Sequence, residues 1–251
     1  MAGHSHWANI QHKKAAKDKK KGKILSKLVK QIHTAVKEGG SGKPDENPRL
    51  RLVLEKCRLA NMTNDTVKKN ITKALGGSVG YENQTYEGYA HDGVAIVVEC
   101  LTDNGQRTGP EIRYIFDRNG GKIGKQGSVT HMFQRKGVFQ IEKDKADEEK
   151  LMDVALEAGA EDVVDQDTFF EVYTDPMAFD SVAEALTGAG IEAQVSEIQM
   201  IPDNRIEVGF ETAQKISKLI DALEENDDVQ NVYTNFDVSA EAAAQLEAEA
   251  D

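Results

Sequence analysis

The sequence has few of the residues that hold secreted and membrane proteins together. Its 251 residues include only two cysteines, Cys57 and Cys100, too few for a disulfide framework or a zinc site made of several thiolates. No apolar run approaches the roughly 18 residues that a membrane-spanning helix needs. The N-terminal sequence MAGHSHWANIQHKKAAKDKKKGK has neither an apolar segment nor a small-residue cleavage site, so it is not a secretory signal. We predict a cytoplasmic protein without a membrane partner.

Residues that would support catalysis or hold a metal ion are also scarce. Ser128 and His131 come nearest to a nucleophile with its base, and the sequence shows nothing that would orient either. The histidines of the N-terminal segment have no cysteine or carboxylate neighbours that would complete a tetrahedral zinc site. We predict no enzymatic activity, no cofactor, no metal site and no small-molecule substrate.

The net charge of −12 conceals two segments of opposite sign. Residues 1–80 carry 18 lysines and arginines against 6 acidic residues, a net charge of +12. Residues 81–251 carry the other 13 basic residues against 37 acidic ones, a net charge of −24. Such asymmetry suggests that one part of the chain binds a polyanion. The alternative is that the basic segment pairs with the acidic remainder, but its lysines cluster too densely for pairing to absorb them all.

Helical periodicity begins only after residue 22, and residues 1–22 are predicted to form a mobile basic arm. Beyond the arm, every fourth residue is apolar on one face: Ile24, Leu28, Ile32 and Val36. This spacing predicts an amphipathic helix. Asn47-Pro48 and then Thr63 or Asn64 are typical helix starts, and they predict a second and a third helix. We expect these three helices to form a helical nucleic-acid-binding domain over residues 23–80.

After residue 80 the pattern alternates between strands and helices. A buried strand is predicted at 93–101, and Pro110 is predicted to begin the helix that follows. Residues 135–202 alone give the order βαββαβ, which is typical of a ferredoxin-like domain. Residues 81–134 and 203–238 each supply βαβ, and we predict that they form a second, discontinuous ferredoxin-like domain. The alternative, three separate small sheets, would leave each half with too little core.

The predicted fold class is therefore α+β. It consists of an N-terminal three-helix domain followed by two ferredoxin-like α/β domains, one inserted in the other. Residues 239–251 form an acidic tail that is expected to fray.

Three groups of residues are candidates for nucleic-acid contact. Lysine and arginine neutralise phosphates and release counterions, so such binding depends on salt and tolerates many sequences. Trp7 can stack on a base, or it can fold back onto the helical domain as a packing anchor. The glycine-rich segment 120–128 can approach a phosphate chain, or it can be an ordinary turn-rich hairpin. The candidates are Trp7, Lys13, Lys14, Lys17, Lys19, Lys20, Lys21, Lys23, Arg49, Arg51, Lys122 and Lys125.

Short motifs along nearly the whole chain are shared with a known family. They include the opening MAGHSHW-x-NI-x-HK, Asn47-Pro48-Arg49-Leu50-Arg51, Tyr86-Glu87-Gly88-Tyr89, Thr102-Asp103-Asn104, Gly127-Ser128-Val129 and Asp228-Val229-Gln230. On these motifs the chain resembles the YebC family, which includes the mitochondrial translational activator of cytochrome c oxidase. His6 departs from the pattern, because many members carry lysine there.

The resemblance implies one helical and two α/β domains, and it implies two described roles. Family members are described as DNA-binding transcriptional regulators, and as translation factors that act on ribosomes stalled at consecutive prolines. By the same resemblance, His4, His6, Trp7 and His12, with the arm lysines and the segment 120–128, would reach toward the ribosomal centre.

We therefore predict a non-enzymatic nucleic-acid-binding regulatory factor. The first hypothesis is a ribosome-associated translation factor that eases elongation through consecutive prolines and contacts ribosomal RNA or peptidyl-tRNA. The second is a transcriptional regulator that binds duplex DNA through the basic helical domain. A third is a protein-interaction scaffold whose basic arm is incidental.

Overall fold

The computed structural model describes Trp7 and residues 21–77, 80–166 and 168–250. The chain divides into two compact units. Residues 18–128 and 215–232 form the helix-rich unit, and residues 1–17, 129–214 and 233–251 form the sheet-rich unit.

The described helices and strands follow one another in this order. They are α1 (Lys21–Gly39), α2 (Pro48–Leu59), α3 (Asn64–Leu75), β1 (Glu82–Tyr89), β2 (Ala95–Thr102), α4 (Gly105–Arg118), β3 (Lys122–Ile123), β4 (Phe133–Glu142), α5 (Glu148–Glu157), β5 (Ala160–Gln166), β6 (Phe169–Thr174), α6 (Phe179–Gly188), β7 (Val195–Pro202), β8 (Ile206–Val208), α7 (Phe210–Glu224), β9 (Val229–Thr234), β10 (Phe236–Val238) and α8 (Ala240–Ala250). Within the described ranges, no helix is long and apolar enough to cross a membrane.

The helices α1, α2 and α3 are the three that the apolar spacing predicts. The Asn47 side chain accepts a hydrogen bond from the Leu50 amide, and the Thr63 hydroxyl accepts one from the Thr66 amide, so both predicted caps are confirmed. Buried side chains of α1 and α2, with Met62 from the connection to α3, form one core: Leu28, Ile32, Ala35, Val36, Leu50, Val53, Cys57 and Met62. The partly buried Val67, Ile71 and Ala74 of α3 pack against it. The three-helix packing therefore rests on the periodicity that is visible in the sequence.

A four-stranded sheet with the order β3-β1-β2-β9 follows the helices. Strands β1 and β2 form an antiparallel hairpin in which Tyr86 is opposite Val98. Strand β1 is missing from the sequence prediction, which has only βαβ in this region. Its first five residues are exposed or half-buried, and its fully buried positions are Glu87 and Gly88, so it lacks the apolar alternation that identifies a strand.

Helix α4 begins five residues earlier than predicted, at Gly105 instead of Pro110. The Asn104 side chain caps it by accepting a hydrogen bond from the Arg107 amide at 3.2 Å. The hydroxyl of Thr108 also donates to the Asn104 carbonyl at 3.1 Å. These contacts hold the first turn, so Pro110 lies inside the helix, where its missing N–H removes one main-chain hydrogen bond.

The second four-stranded sheet has the order β5-β6-β4-β7 and is antiparallel throughout. With α5 and α6 between its strands, it follows the βαββαβ order predicted for residues 135–202. The ring of Phe139 on β4 stacks on Phe179 of α6, with centroids 4.7 Å apart. Burial of these rings fixes the helix against the sheet.

Strand β8 does not join a four-stranded sheet. It pairs in parallel with β10 in a separate two-stranded sheet, with Ile206 opposite Phe236. The first strand of the βαβ predicted for residues 203–238 therefore does not join the sheet formed by residues 81–134. The sequence could not identify the partner, because β9 and β10 read as one continuous extended run.

The expectation of a frayed tail is wrong, because residues Ala240–Ala250 form α8. The Ser239 hydroxyl accepts a hydrogen bond from the Ala242 amide at 3.2 Å and caps this helix. Ala242 and Ala243 are buried, so the alanines provide a packed face as well as helix propensity.

The α+β class, with a helical N-terminal part followed by β-rich parts, is confirmed. The proposed nesting of one ferredoxin-like domain in another, with its boundaries at residues 81, 135, 203 and 239, stays a prediction.

Candidate nucleic-acid interface

Most of the predicted basic arm lies outside the described residues. This applies to His4, His6, His12, Lys13, Lys14, Lys17, Lys19 and Lys20. Lys21 is the first residue of α1. The arm's contribution to binding therefore stays a prediction.

Trp7 is a packing residue of the sheet-rich unit. Its side chain is 6% exposed, and its ring lies 4.5 Å from the ring of Phe236, centroid to centroid. Its main-chain amide donates to Asp237 Oδ1 at 2.9 Å. Of the two interpretations of Trp7, the structure shows the packing anchor, but the anchor lies on β10 and not on the helical domain. Stacking on a base would require the indole to leave this site.

Lysines of α1 bind the main chain just after α7, within the helix-rich unit. The contacts are Lys23 Nζ to Glu225 O at 2.7 Å, Lys27 Nζ to Glu224 O at 3.2 Å and Lys30 Nζ to Asp227 O at 2.9 Å. A helix C-terminus exposes carbonyls that carry partial negative charge, and ammonium groups stabilise it. Lys23, a predicted candidate for nucleic-acid contact, therefore has a structural role within this unit.

A buried carboxylate, that of Asp228, links α1 to the sheet and to α4. It accepts hydrogen bonds from Lys30 Nζ at 2.5 Å, Arg107 Nη2 at 2.8 Å and Thr108 Oγ1 at 2.7 Å. Burial acts to raise the pKa of Asp228, but these three donors outweigh it and hold the pKa well below its usual range. This cluster could not be predicted from local sequence, because Asp228 is about 120 to 200 residues from Lys30, Arg107 and Thr108.

Helices α2 and α3 also carry exposed cations. The Arg49 guanidinium is paired with Glu38. Four further side chains are exposed, and within the described part of the chain they have no hydrogen bond or ion pair: Arg51, Arg58, Lys68 and Lys69. We call these four the basic helical surface. Arg51 and Arg58 are seven residues apart on α2 and so share one face of the helix.

The glycine-rich segment is held in place by Glu87. In the sequence this residue stands out only as part of a family motif, which does not predict this role. The Gly127 amide donates to the buried Glu87 carboxylate at 2.6 Å, and the Gly124 amide donates to the Glu87 carbonyl at 2.7 Å. The Tyr89 hydroxyl donates to the Ser128 carbonyl at 3.0 Å. Two of the amides that were candidates for binding phosphate are therefore already used.

The two lysines of that segment are better placed than its amides. Lys122 lies on β3 opposite Tyr89, and Lys125 follows Gly124 in the turn. Both side chains are exposed and have no ion pair within the described ranges. A cavity of about 340 Å³ lies beside the turn and is also lined by β1 and by α4, including Arg113.

Metal-ligating side chains do not cluster in the described ranges. No three histidine, cysteine, aspartate or glutamate side chains there lie close enough together to hold a metal ion. Both cysteines are free and buried. Burial raises the pKa of the Cys57 thiol to about 11 and that of Cys100 to about 12, which disfavours the reactive thiolate.

Two family models together match nearly the whole chain. The TACO1/YebC protein N-terminal domain matches residues 5–77, and the TACO1/YebC second and third domain matches residues 81–236. The chain belongs to the TACO1/YebC family. The resemblance seen in the short motifs is thereby confirmed.

Relatives within the TACO1/YebC family extend along the full chain. A probable transcriptional regulatory protein of Acidithiobacillus ferrooxidans is 50% identical over 250 residues, which is 99% of each chain. The transcriptional regulatory protein PmpR of Pseudomonas aeruginosa is 49% identical over 98% of this chain and 100% of PmpR. The crystal structure of a conserved hypothetical protein from Aquifex aeolicus is 38% identical and matches with a TM-score of 0.82, over 88% of this chain and 92% of that one. The names of the first two relatives describe regulatory proteins.

Proposed function

We propose that this protein is a non-enzymatic regulatory factor that binds nucleic acid through the phosphate backbone. The observation that carries the proposal is the basic helical surface: four exposed cations without intramolecular partners in the described part of a chain whose net charge is −12. Acidic side chains are abundant in this chain, yet these cations are left unpaired, whereas lysines of α1 are bound to the main chain. Phosphates are the partners that such a surface fits.

The charge distribution also limits how nucleic acid can approach. Most of the negative charge lies after residue 128, where 8 basic and 30 acidic residues give a net charge of −22 that repels a polyanion. The basic segment before position 81 attracts it. Opposite potentials on one molecule orient the encounter, so that the nucleic acid meets the helical domain and its arm first.

Within this class we favour action on the ribosome, where the factor eases elongation through consecutive prolines. Two arguments support this choice. The chain resembles YebC-type translation factors, and a protein that recognises RNA by its shape does not need to read the bases. The proline ring restricts the geometry of peptide-bond formation. A protein that contributes no chemistry can still accelerate this step by positioning the end of the peptidyl-tRNA through contacts to RNA.

The second candidate is a transcriptional regulator that binds duplex DNA. The names of the full-length relatives, including PmpR at 49% identity, favour it. The same basic helical surface would then contact the phosphates of a duplex. A regulator must distinguish one DNA sequence from another, so specific binding to a promoter over random duplex is its distinguishing property.

The experiment that tests the common proposal reverses the charge of the α2 arginines. The variant Arg51→Glu/Arg58→Glu should bind duplex DNA and structured RNA more weakly, measured by fluorescence anisotropy over a salt series. If two phosphate contacts are lost, the slope of log K against log salt on duplex DNA should become shallower by about 1.8.

The matched control is Lys215→Glu/Lys218→Glu, which changes the charge by the same amount on exposed positions of α7. It should leave the salt slope nearly unchanged. An equal loss in both variants would mean that only net charge matters. A wild-type slope near zero would contradict phosphate binding altogether and favour the scaffold.

A further inference from the structure

The helix-rich unit contains a cavity that the basic surface does not use. Its volume is about 340 Å³, and its lining includes Tyr86, Glu87, Gly109, Pro110, Arg113 and Gln126. This volume is within the range of about 300 to 1,000 Å³ that is typical of small-ligand sites. The cavity therefore has room for a compact polar molecule.

Because residue 109 is glycine, no side chain at this position covers Tyr86 in the cavity lining. A Cβ atom at this position would lie 3.5 Å from the Tyr86 hydroxyl, so any longer side chain there would extend over Tyr86. Glycine inside a helix is unfavourable by about 1 kcal/mol relative to alanine. Here it leaves the Tyr86 ring and the Pro110 ring as surfaces on which a planar group can stack.

The polar groups around these rings differ in charge and position. Arg113 is exposed and has no hydrogen bond or ion pair within the described ranges. Lys125 lies between two lining residues, Gly124 and Gln126, and is also exposed. The buried Glu87 carboxylate accepts a hydrogen bond from the Gly127 amide and so holds the turn that carries Lys125.

These features correspond to two parts of a nucleotide. The rings of Tyr86 and Pro110 fit a base, and the cations Arg113 and Lys125 fit the phosphate beside it. A simple anion would gain nothing from the aromatic wall. A base inside a duplex is stacked and paired, so only an unpaired one can enter.

We propose that this cavity binds one unpaired nucleotide of an RNA partner. The inference rests on the proposed function, because it assumes that the protein binds RNA. It adds a subsite that distinguishes single-stranded RNA from duplex, which the basic helical surface alone does not.

The test fills the cavity. Gly109→Leu places a side chain over Tyr86 without a clash at Cβ, and it improves helix propensity, so the variant should fold; a thermal melt verifies this. Anisotropy with a short unstructured fluorescein-labelled RNA should show a loss of affinity of about fivefold or more. Affinity for a blunt RNA duplex of the same sequence should change by less than about twofold, since a duplex offers no unpaired base.

Two controls separate cavity filling from general effects. Gly188→Leu changes a glycine of α6 that has nothing within 4 Å, and it should alter neither affinity. Arg113→Gln should weaken single-strand binding more than Arg118→Gln, because Arg118 is already bound to the Tyr114 hydroxyl at 2.7 Å.

The outcomes distinguish this inference from the proposed function. Unchanged single-strand affinity in Gly109→Leu, or an equal loss on both RNAs, overturns the nucleotide subsite and leaves the proposed function intact. Cytidine monophosphate that binds as tightly as the oligonucleotide would assign the cavity to a free nucleotide, and it would also overturn the inference. A wild-type protein that binds neither RNA contradicts the proposed RNA-binding function itself.

Discussion

Replacing Asp228 by asparagine should destabilise the helix-rich unit more than any other single amide substitution of a carboxylate in it. The residue Asp228 is 3% exposed, and its carboxylate accepts hydrogen bonds from Lys30, Arg107 and Thr108 at 2.5 to 2.8 Å. Asparagine has nearly the same shape, but its amide group is neutral. Its NH2 group must face either Lys30, which donates to Oδ1, or Arg107 and Thr108, which donate to Oδ2, so a donor meets a donor on one side. The contact between α1 and the sheet loses its central charge.

The size of the effect depends on how well water can solvate the cations that lose their carboxylate partner. Removing one partner of a fully buried ion pair costs about 3 to 5 kcal/mol. The side chains of Lys30 and Arg107 are 15% and 45% exposed, so water can solvate them in part after the substitution. We therefore expect a loss of about 2 to 3 kcal/mol in the free energy of unfolding at neutral pH.

The pH dependence gives an independent signature. Because the folded-state pKa of Asp228 is depressed, its charge contributes stability that is fully present above the unfolded pKa of about 3.9. That stability is lost as the pH falls from there toward the folded pKa. The difference in stability between wild type and Asp228→Asn should consequently be constant at neutral pH and shrink as the pH falls below about 4.

Urea unfolding followed by circular dichroism measures both quantities. The control is Asp227→Asn, an exposed carboxylate next in the chain, which should change stability by less than about 0.5 kcal/mol. Equal effects of the two substitutions, or a difference that does not vary with pH, would refute the assignment of Asp228 as a charged structural centre.

Three further predictions concern single residues. Trp7 is the only tryptophan, so native fluorescence should show the blue-shifted emission of a buried indole and should shift to the red in Phe236→Ala; solvent-like emission of the wild type would contradict the β10 anchor. Cys57 and Cys100 should react with a disulfide reagent at pH 8 only after denaturation, because burial raises both pKa values; rapid labelling of the native protein would show that they are accessible. Gly127→Ala should cost about 1 to 3 kcal/mol in unfolding experiments, since its φ of +82° is unfavourable for a residue with a Cβ atom; a neutral result would mean that the turn relaxes.

The sequence predicts best those elements whose stability is local. The helices α1 to α3 follow from apolar spacing and from side-chain caps such as Asn47, which act within four residues. Residues 135–202 follow because each strand and helix has its own apolar pattern. In both cases the information lies within a short window of the chain.

Elements that depend on distant partners could not be predicted. Strand β1 is polar, and it is a strand because β2 pairs with it along its whole length. The start of α4 at Gly105 depends on its Asn104 cap, on Asp228, more than a hundred residues away, and on the tolerance of Pro110 inside the helix. In the candidate site, the basic character of α2 was visible in the sequence. The role of Glu87 and the cavity lined by Gly109 could not be predicted, because they form only where β1, α4 and the turn come together.

The central claim is that this TACO1/YebC-family protein binds nucleic acid through basic side chains and acts on ribosomes. The most direct measurement is a competition at physiological salt, in which labelled protein distributes between purified ribosomes and random-sequence duplex DNA. The account predicts that the wild type partitions onto ribosomes. A variant in which Lys13, Lys14, Lys19 and Lys20 are changed to glutamate should lose most of that binding. Preferential binding to DNA, or ribosome binding that survives the charge reversal unchanged, would contradict it.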